Sequence, residues 1–506
     1  MLDTTPILAG CYPDPSICRV GDEYFVATST FALHPGIPIH RSTDLVHWEL
    51  VGHALVGGSW IDIDDLDHSD GVWAPTLREH HGTFYVVFAM ARGRTGAETY
   101  VCTAQDPRGP WTSRVLEEAN GIDPSLFFDD DGRCWFTAAR DTEDVEATGP
   151  AEIYLRQFDT DTLTLVGPTT ILWHGALAGQ WCEAPHIYKH DGVYTLIGAE
   201  GGTERNHAVT AARATDVRGP YRTDPRSPLL THRHLGADVA VQNVGHADIV
   251  DTPSGASWSV VLGVRPVNGH HVLGRETFLT PVEWSDAGPV FAPGVGTVGL
   301  APTVDADDDD DDEHSLIDTE WVSIRGPIGA ILRDDAVTLD AAQGPEAATG
   351  RPAFLAQRQV AHAFEFAASL DTAVLSTSHP GVVAFQNCRD FAQLVVERDD
   401  TGFVAVASAT TDGEVRELGR RRVSGEVRLT IRGARTSYAL GIDGPFGFEP
   451  IAVLPHIALS TETTGGFTGV LIGVCHAGSP GTAPVTFHRV EHRRASAPES
   501  VALLQV

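Results

Sequence analysis

A short pattern that recurs five times in the first half of the chain limits the fold more than any other feature. A small or acidic residue, or once a His, is followed by Pro or Ala, then any residue, then Ile or Leu. A polar, Gly-containing turn comes next, and after it an aromatic, β-branched run. The copies are Asp14-Pro15-Ser16-Ile17 before VGDEYFVATS, Ala74-Pro75-Thr76-Leu77 before HHGTFYVVFAM, and Asp123-Pro124-Ser125-Leu126 before DDDGRCWFTAA. The last two are Ala184-Pro185-His186-Ile187 before KHDGVYTLIGA and His246-Ala247-Asp248-Ile249 before TPSGASWSVVLG. Their first residues lie 60, 49, 61 and 62 positions apart.

Each copy reads as a β-hairpin, a short apolar strand turning through DG, DDG or HG into a strand rich in Tyr, Phe, Val and Thr. Runs such as TYVCTA and EIYLRQF supply further strands in each interval. A unit of about 50–60 residues is enough for a four-stranded blade, so five units predict a five-bladed β-propeller. Helical periodicity is almost absent, and a generic β-sandwich would not produce five copies in register. The pattern ends in a Gly/Pro-rich passage, GPVFAPGVGTVGLAP, followed by DADDDDDDE over 305–313 with eight carboxylates. An EF-hand-like loop needs an interposed Gly and spaced ligands, so the run reads as a solvated, self-repelling linker. The expected organisation is an all-β chain: a propeller over 1–304, an acidic linker over 305–317, and a second β domain over 318–506.

Charge narrows the partners. With 35 basic and 68 acidic side chains the formal net charge is −33, which argues against nucleic acid and against an anionic membrane face. No run of about 20 apolar residues is present to span a bilayer. The first residues show no basic segment leading into an apolar one, and the 7 Cys are scattered without a CxxC pair. Both features give the expectation of a cytoplasmic protein with reduced thiols.

In a propeller the innermost strands line the central channel, so one column of the repeat converges in space. That column holds Asp14, Ala74, Asp123, Ala184 and His246; one position earlier lie Pro13, Trp73, Ile122, Glu183 and Gly245. Three carboxylates from three blades therefore meet at one axial cavity. Glycosidic hydrolysis needs this composition, one carboxyl protonated beside the leaving oxygen and another ionised as a base. Neighbouring carboxylates raise one another's pKa, which keeps one protonated near neutrality. Trp73, Phe31 and Trp181 are candidates to stack on a sugar face.

The segments GCYPDPSICRVGDEYFVATSTF, GVWAPTL, GIDPSLFFDDDG, EAPHIYKHDGVYTLIGAEGGTERNHAV, GHADIV and LGRET resemble family 43 glycoside hydrolases, in particular the β-xylosidase and α-L-arabinofuranosidase branch. The region from about 318 to 500, with FTGVLIGVC near its end, is similar to the concanavalin-like β-sandwich that accompanies such propellers. The resemblance implies an inverting, single-displacement mechanism. It assigns Asp14 as general base, Glu183 as general acid, and Asp123 as the residue that tunes and orients the acid. Arg275 would bind substrate hydroxyls and His246 would line the floor of the site. The chain departs from many members at Ala184, where Gly is common, and at Thr76, where His or a similar residue is common.

The function this implies is an exo-acting β-1,4-xylosidase on short xylo-oligosaccharides. The alternative is an α-L-arabinofuranosidase, or a bifunctional enzyme, acting on arabinose-substituted oligosaccharides. A reading from another class is a non-catalytic, carbohydrate-binding propeller, and a third is a retaining enzyme that cleaves fructan or sucrose. No cofactor is required; some relatives place a divalent cation on the axial His, which here makes His246 a candidate Ca²⁺ ligand through waters. Relatives of this length often form dimers or tetramers, so a homo-oligomer is expected. Loop 59–72 and residues 140–150 are the expected pocket walls.

Overall fold

Each of the five copies forms the first strand of a four-stranded antiparallel sheet, as the computed structural model shows for residues 5–93, 96–299, 320–375, 378–479 and 481–495. Blade 1 contains Ser16–Val20, Glu23–Ala27, Gly36–Ser42 and Glu49–Leu55; blade 2 contains Gly71–His80, Thr83–Ala91, Glu98–Ala104 and Thr112–Val115. Blade 3 is Ile122–Phe128, Cys134–Asp141, Ala151–Asp159 and Thr164–Trp173, and blade 4 is Cys182–His190, Val193–Glu200, Ala208–Ala214 and Arg222–Thr223. Blade 5 is Gln242–Asp251, Ser257–Val264, Glu276–Ser285 and Gly288–Phe291. First strands of successive blades pack on one another, and that of blade 5 packs on that of blade 1, so the ring closes. The expected five-bladed propeller is present. Its hairpins use the turn chemistry read from the sequence: His81-Gly82 and Asp191-Gly192 both have positive φ at the two central positions (51° and 81°, 48° and 76°), as type I′ turns require.

The repeat column has a backbone signature of its own. Asp14, Ala74, Asp123, Ala184 and His246 all have positive φ, between 40° and 55°. In blades 2 to 5 the pairing register slips at this point: between Trp73 and Thr76, Ile122 and Ser125, Glu183 and His186, and on both sides of Gly245. A β-bulge with a left-handed residue re-aims the side chains beside it. Non-glycine residues in this region carry strain of roughly 1–3 kcal/mol each, and none of the five is β-branched, the class least able to adopt it. All five blades thus hold the strained conformation at the position that faces the axis.

Two residues further along each copy a second layer forms beneath the first, from Ser16, Thr76, Ser125, His186 and Asp248. Asp248 is fully buried and accepts bonds from the Ser16 hydroxyl (2.7 Å), the Ile17 N–H (2.9 Å), both terminal nitrogens of Arg78 (2.8 and 3.1 Å) and the Tyr188 hydroxyl (2.6 Å). Arg78 also meets His186 Nδ1 at 3.1 Å, and His186 meets Ser125 at 2.9 Å. The network reaches all five blades. A buried charge persists only when paired and fully hydrogen-bonded, and Asp248 satisfies both conditions.

The second domain is a sandwich of an eight-stranded and a seven-stranded antiparallel sheet. Its larger sheet takes in a propeller segment: Leu33–His34 pairs with Trp321–Ile324. One apolar cluster runs across the join, with Phe25, Ala27 and Phe84 of the propeller together with Ile324, Phe354, Phe385 and Leu471 of the sandwich. The two domains therefore share a sheet and a core. The acidic linker expected over 305–317 lies outside the described residues. None of the seven Cys is in a disulfide, and six of them are buried as small apolar groups.

Candidate active site

The axial carboxylates are gathered as the repeat column predicts. Asp14 stands between two prolines at the head of blade 1, 6% exposed. Its Oδ1 accepts from Arg275 Nη1 at 2.8 Å, its Oδ2 from the Ser29 hydroxyl at 2.6 Å, and His246 Nδ1 lies 3.6 Å away. Burial alone would raise its pKa; the Arg275 guanidinium, His246 and the Ser29 hydroxyl together outweigh burial and hold the carboxyl below the ordinary 3.8. Asp14 is thus an ionised acceptor across the working pH range. Asp123 is equally buried but forms no ion pair among the described residues, Arg275 acting on it only weakly from a distance; its Oδ2 accepts the Ala184 N–H at 3.0 Å, next to Glu183. Burial first, then the charges of Glu183 and Asp14, push its pKa well above the ordinary value. Neighbouring carboxylates cannot both ionise freely, so Asp123 holds its proton beside Glu183. Glu183 is the most solvent-open of the three and lines the cavity.

The cavity measures about 200 Å³, the scale of one sugar ring rather than of a chain. Asp14, Asp123, Glu183, Arg275, His246, Trp73, Phe31 and Trp181, all expected at the site, line it. Trp73 is held by its indole N–H donating to the Ser69 carbonyl at 2.8 Å, and Phe31 is 2% exposed with its ring 5.6 Å from the Arg275 guanidinium carbon. Loop 59–72 supports the wall from behind through Ser69. Residues 140–150 lie one step further out: the Gly179 N–H donates to the Thr148 carbonyl at 2.8 Å, beside the turn that leads to Trp181.

Five lining residues were not singled out from the sequence: Gly202, Thr203, Glu204, His207 and Phe467. Thr203 accepts from Arg275 Nη1 at 3.0 Å. His207 packs flat against Gly245, where a Cβ would come within 2.5 Å of the ring; burial holds its pKa down to about 4. Phe467 comes from the sandwich. Its ring meets Trp73 edge-on at 5.6 Å, its N–H donates to Ser69 Oγ at 3.1 Å, and its carbonyl accepts from Arg275 Nε at 3.4 Å. The second domain thereby closes one wall of the site.

The donor set does not fit a divalent cation at His246. The buried imidazole stays neutral and could ligate, but the nearest carboxylate, Asp14, is already committed to the Arg275 guanidinium and leaves no anionic oxygen to join it. Among the described residues no three His, Cys, Asp or Glu side chains are grouped to hold a metal ion.

These charges set a pH profile. A neutral substrate contributes no titration, so kcat/KM reports the enzyme's own groups. Activity is expected to fall on the acid side only as Asp14 takes a proton, below the ordinary aspartate range, and on the alkaline side as Asp123 loses its proton, above the ordinary carboxylate range. Asp123→Asn, which removes that titrating group, should displace the alkaline limb; an unmoved limb would separate Asp123 from the pH profile.

Residues 4–289 match the family described as glycosyl hydrolases family 43, and residues 309–493 match the beta xylosidase C-terminal concanavalin A-like domain. The chain belongs to glycosyl hydrolase family 43. This family 43 hydrolase is 37% identical over 499 residues to a xylosidase/arabinosidase of Butyrivibrio fibrisolvens, covering 94% of this chain and 95% of that one. It is 32% identical to a non-reducing end alpha-L-arabinofuranosidase of Bacteroides ovatus, covering 96% and 94%. Among solved structures, a xylan beta-1,4-xylosidase from Bacillus halodurans C-125 superposes with a TM-score of 0.86 at 30% identity, over 97% of this chain and 100% of that one. Both domains of the hydrolase thus have counterparts in single relatives, in the same order.

Proposed function

We propose that this family 43 hydrolase removes one pentose at a time from the ends of short xylose-containing oligosaccharides, as a β-1,4-xylosidase acting with inversion. In this reading Asp14 deprotonates the attacking water. Glu183 protonates the leaving oxygen, and Asp123 keeps that proton available and holds the acid's strand through the Ala184 N–H. Arg275, committed to Asp14, Thr203 and the Phe467 carbonyl, presents one remaining Nη2 N–H to a sugar hydroxyl, and His246 and Phe31 form the floor. The observation that carries the reading is the opposed electrostatics of carboxylates in one cavity: Asp14 held below the ordinary aspartate range by Arg275, Asp123 held well above it by burial beside Glu183. A cavity of about 200 Å³, closed on one side by Phe467, favours a chain end over a chain interior.

The second reading, α-L-arabinofuranosidase or dual activity, draws on the names of the two relatives above. Paired kcat/KM values on nitrophenyl β-D-xylopyranoside and α-L-arabinofuranoside test the choice. The xyloside is expected to be the better substrate, with measurable arabinofuranoside turnover. Preference for the arabinofuranoside would reverse the order of the two readings, and no turnover of either would overturn both.

A further inference from the structure

Arg358 belongs to the sandwich, on strand Phe354–Arg358, yet its side chain ends on the segment that leads to Asp14. It is fully buried. Its Nε donates to the Cys11 carbonyl at 2.9 Å, its guanidinium carbon lies 4.2 Å from the Tyr12 ring centroid, and its Nη1 reaches the Tyr12 hydroxyl at 3.4 Å. The same Nη1 is paired with Glu320, which is 4% exposed at the side chain, and Glu320 also binds His53. On its other side the segment is held by blade 5: the Gly10 N–H donates to Glu276 Oε1 at 2.9 Å and the Thr277 hydroxyl to the Tyr12 carbonyl at 2.6 Å. Glu276 directly follows Arg275, the partner of Asp14.

We propose that Arg358 is a positioning residue for Asp14: it fixes Cys11 and Tyr12 from the sandwich, and Pro13 transmits that placement to the carboxylate. Three features support this. The ring of Pro13 locks its φ, so the link from Tyr12 to Asp14 is short and stiff. Gly10 has a φ of 88°, and a Cβ there would lie 3.1 Å from the Gln359 carbonyl, so the two backbones meet at closest approach one residue before Cys11. A buried ion pair is seldom more stabilising than apolar groups of equal volume; what Arg358 adds over them is a planar fork whose donors each have a fixed direction. The inference rests on the proposed role of Asp14 as base.

The groups that face Asp14 are Arg275, His246, His207, Asp123 and Ser29; those that face Arg358 are Glu320, Tyr12, Cys11 and, one shell out, His40. The two sets share no member, so a change at Arg358 reaches Asp14 through position. Arg358→Lys keeps the charge and loses the fork. It is expected to lower kcat by about tenfold with KM within about twofold. Because Asp14 slips from Arg275, its pKa rises and the acid limb of the pH profile moves to higher pH. Arg358→Met should lose more than Arg358→Lys, and Tyr12→Phe, which keeps the ring and removes the hydroxyl, should shift the limb the same way by less. A crystal structure of Arg358→Lys should show the Asp14–Arg275 contact lengthened. An intact contact, with kcat and the acid limb of wild type in both Arg358→Lys and Tyr12→Phe at a temperature where they are folded, would overturn the proposal, whatever the loss in melting temperature. If wild type hydrolyses no pentoside, the proposed function falls, while the crystal structure still decides the placement of Asp14.

Discussion

Glu183→Gln is expected to cut kcat on xylobiose by roughly 10²–10⁴, the range of a positioned general acid, and to cut it far less on a nitrophenyl xyloside. A sugar alkoxide leaves only with a proton, whereas nitrophenolate leaves without one, so the loss of an acid shows selectively on the poor leaving group. Asp14→Asn is expected to behave differently. Asn keeps one oxygen to accept from Arg275 and turns its amide N–H toward the Ser29 hydroxyl, but it cannot take a proton from water, so both substrates should slow together and by a similar factor. Steady-state kinetics of the two variants on the two substrates check this. If Asp14→Asn were the variant sensitive to leaving group, the two roles would be exchanged. If neither variant lost activity, the chemistry would lie outside the cavity.

Removal of the sandwich is the second large effect. A chain ending at residue 304 loses the strand that pairs with Leu33–His34 and uncovers the propeller side of the shared core. Loss of Ile324, Phe354, Phe385 and Leu471 removes four buried side chains at roughly 1.5–3 kcal/mol each, which is comparable with the whole stability of a typical domain, about 5–15 kcal/mol. The truncated chain is expected to be insoluble or unfolded and inactive, as read by recovery in the soluble fraction, circular dichroism and activity. A soluble, folded propeller with the wild-type kcat/KM would show that the sandwich is dispensable.

The repeat made much of this legible. Five copies in register placed three carboxylates on one axis because a propeller superposes equivalent positions, and neither composition nor any single motif carries that information. The same arithmetic contained the second layer as well: Ser16, Thr76, Ser125, His186 and Asp248 stand two residues beyond the column, and the network around Asp248 follows from that spacing. What the repeat could not supply comes from outside it. Phe467 lies more than 190 residues after Arg275 in the chain, and only the docking of the sandwich brings it to Trp73. His207 and Thr203 sit in a loop between strands of blade 4, where no periodicity operates; the one local sign was Gly245, whose missing side chain makes room for the His207 ring. Arg275 was found through the LGRET resemblance alone, since it precedes a third strand that has no column of its own facing the axis. Residues 140–150 were expected at the wall and stand behind it, because a loop's length says nothing of the direction in which it folds.

The first-formed anomer decides the account most directly. ¹H NMR of the hydrolysis of a β-xyloside, followed before mutarotation, should show α-xylose appearing first, as expected when a water activated by Asp14 attacks from the face opposite Glu183. First appearance of β-xylose would mean a covalent intermediate and would contradict the roles given to the three carboxylates.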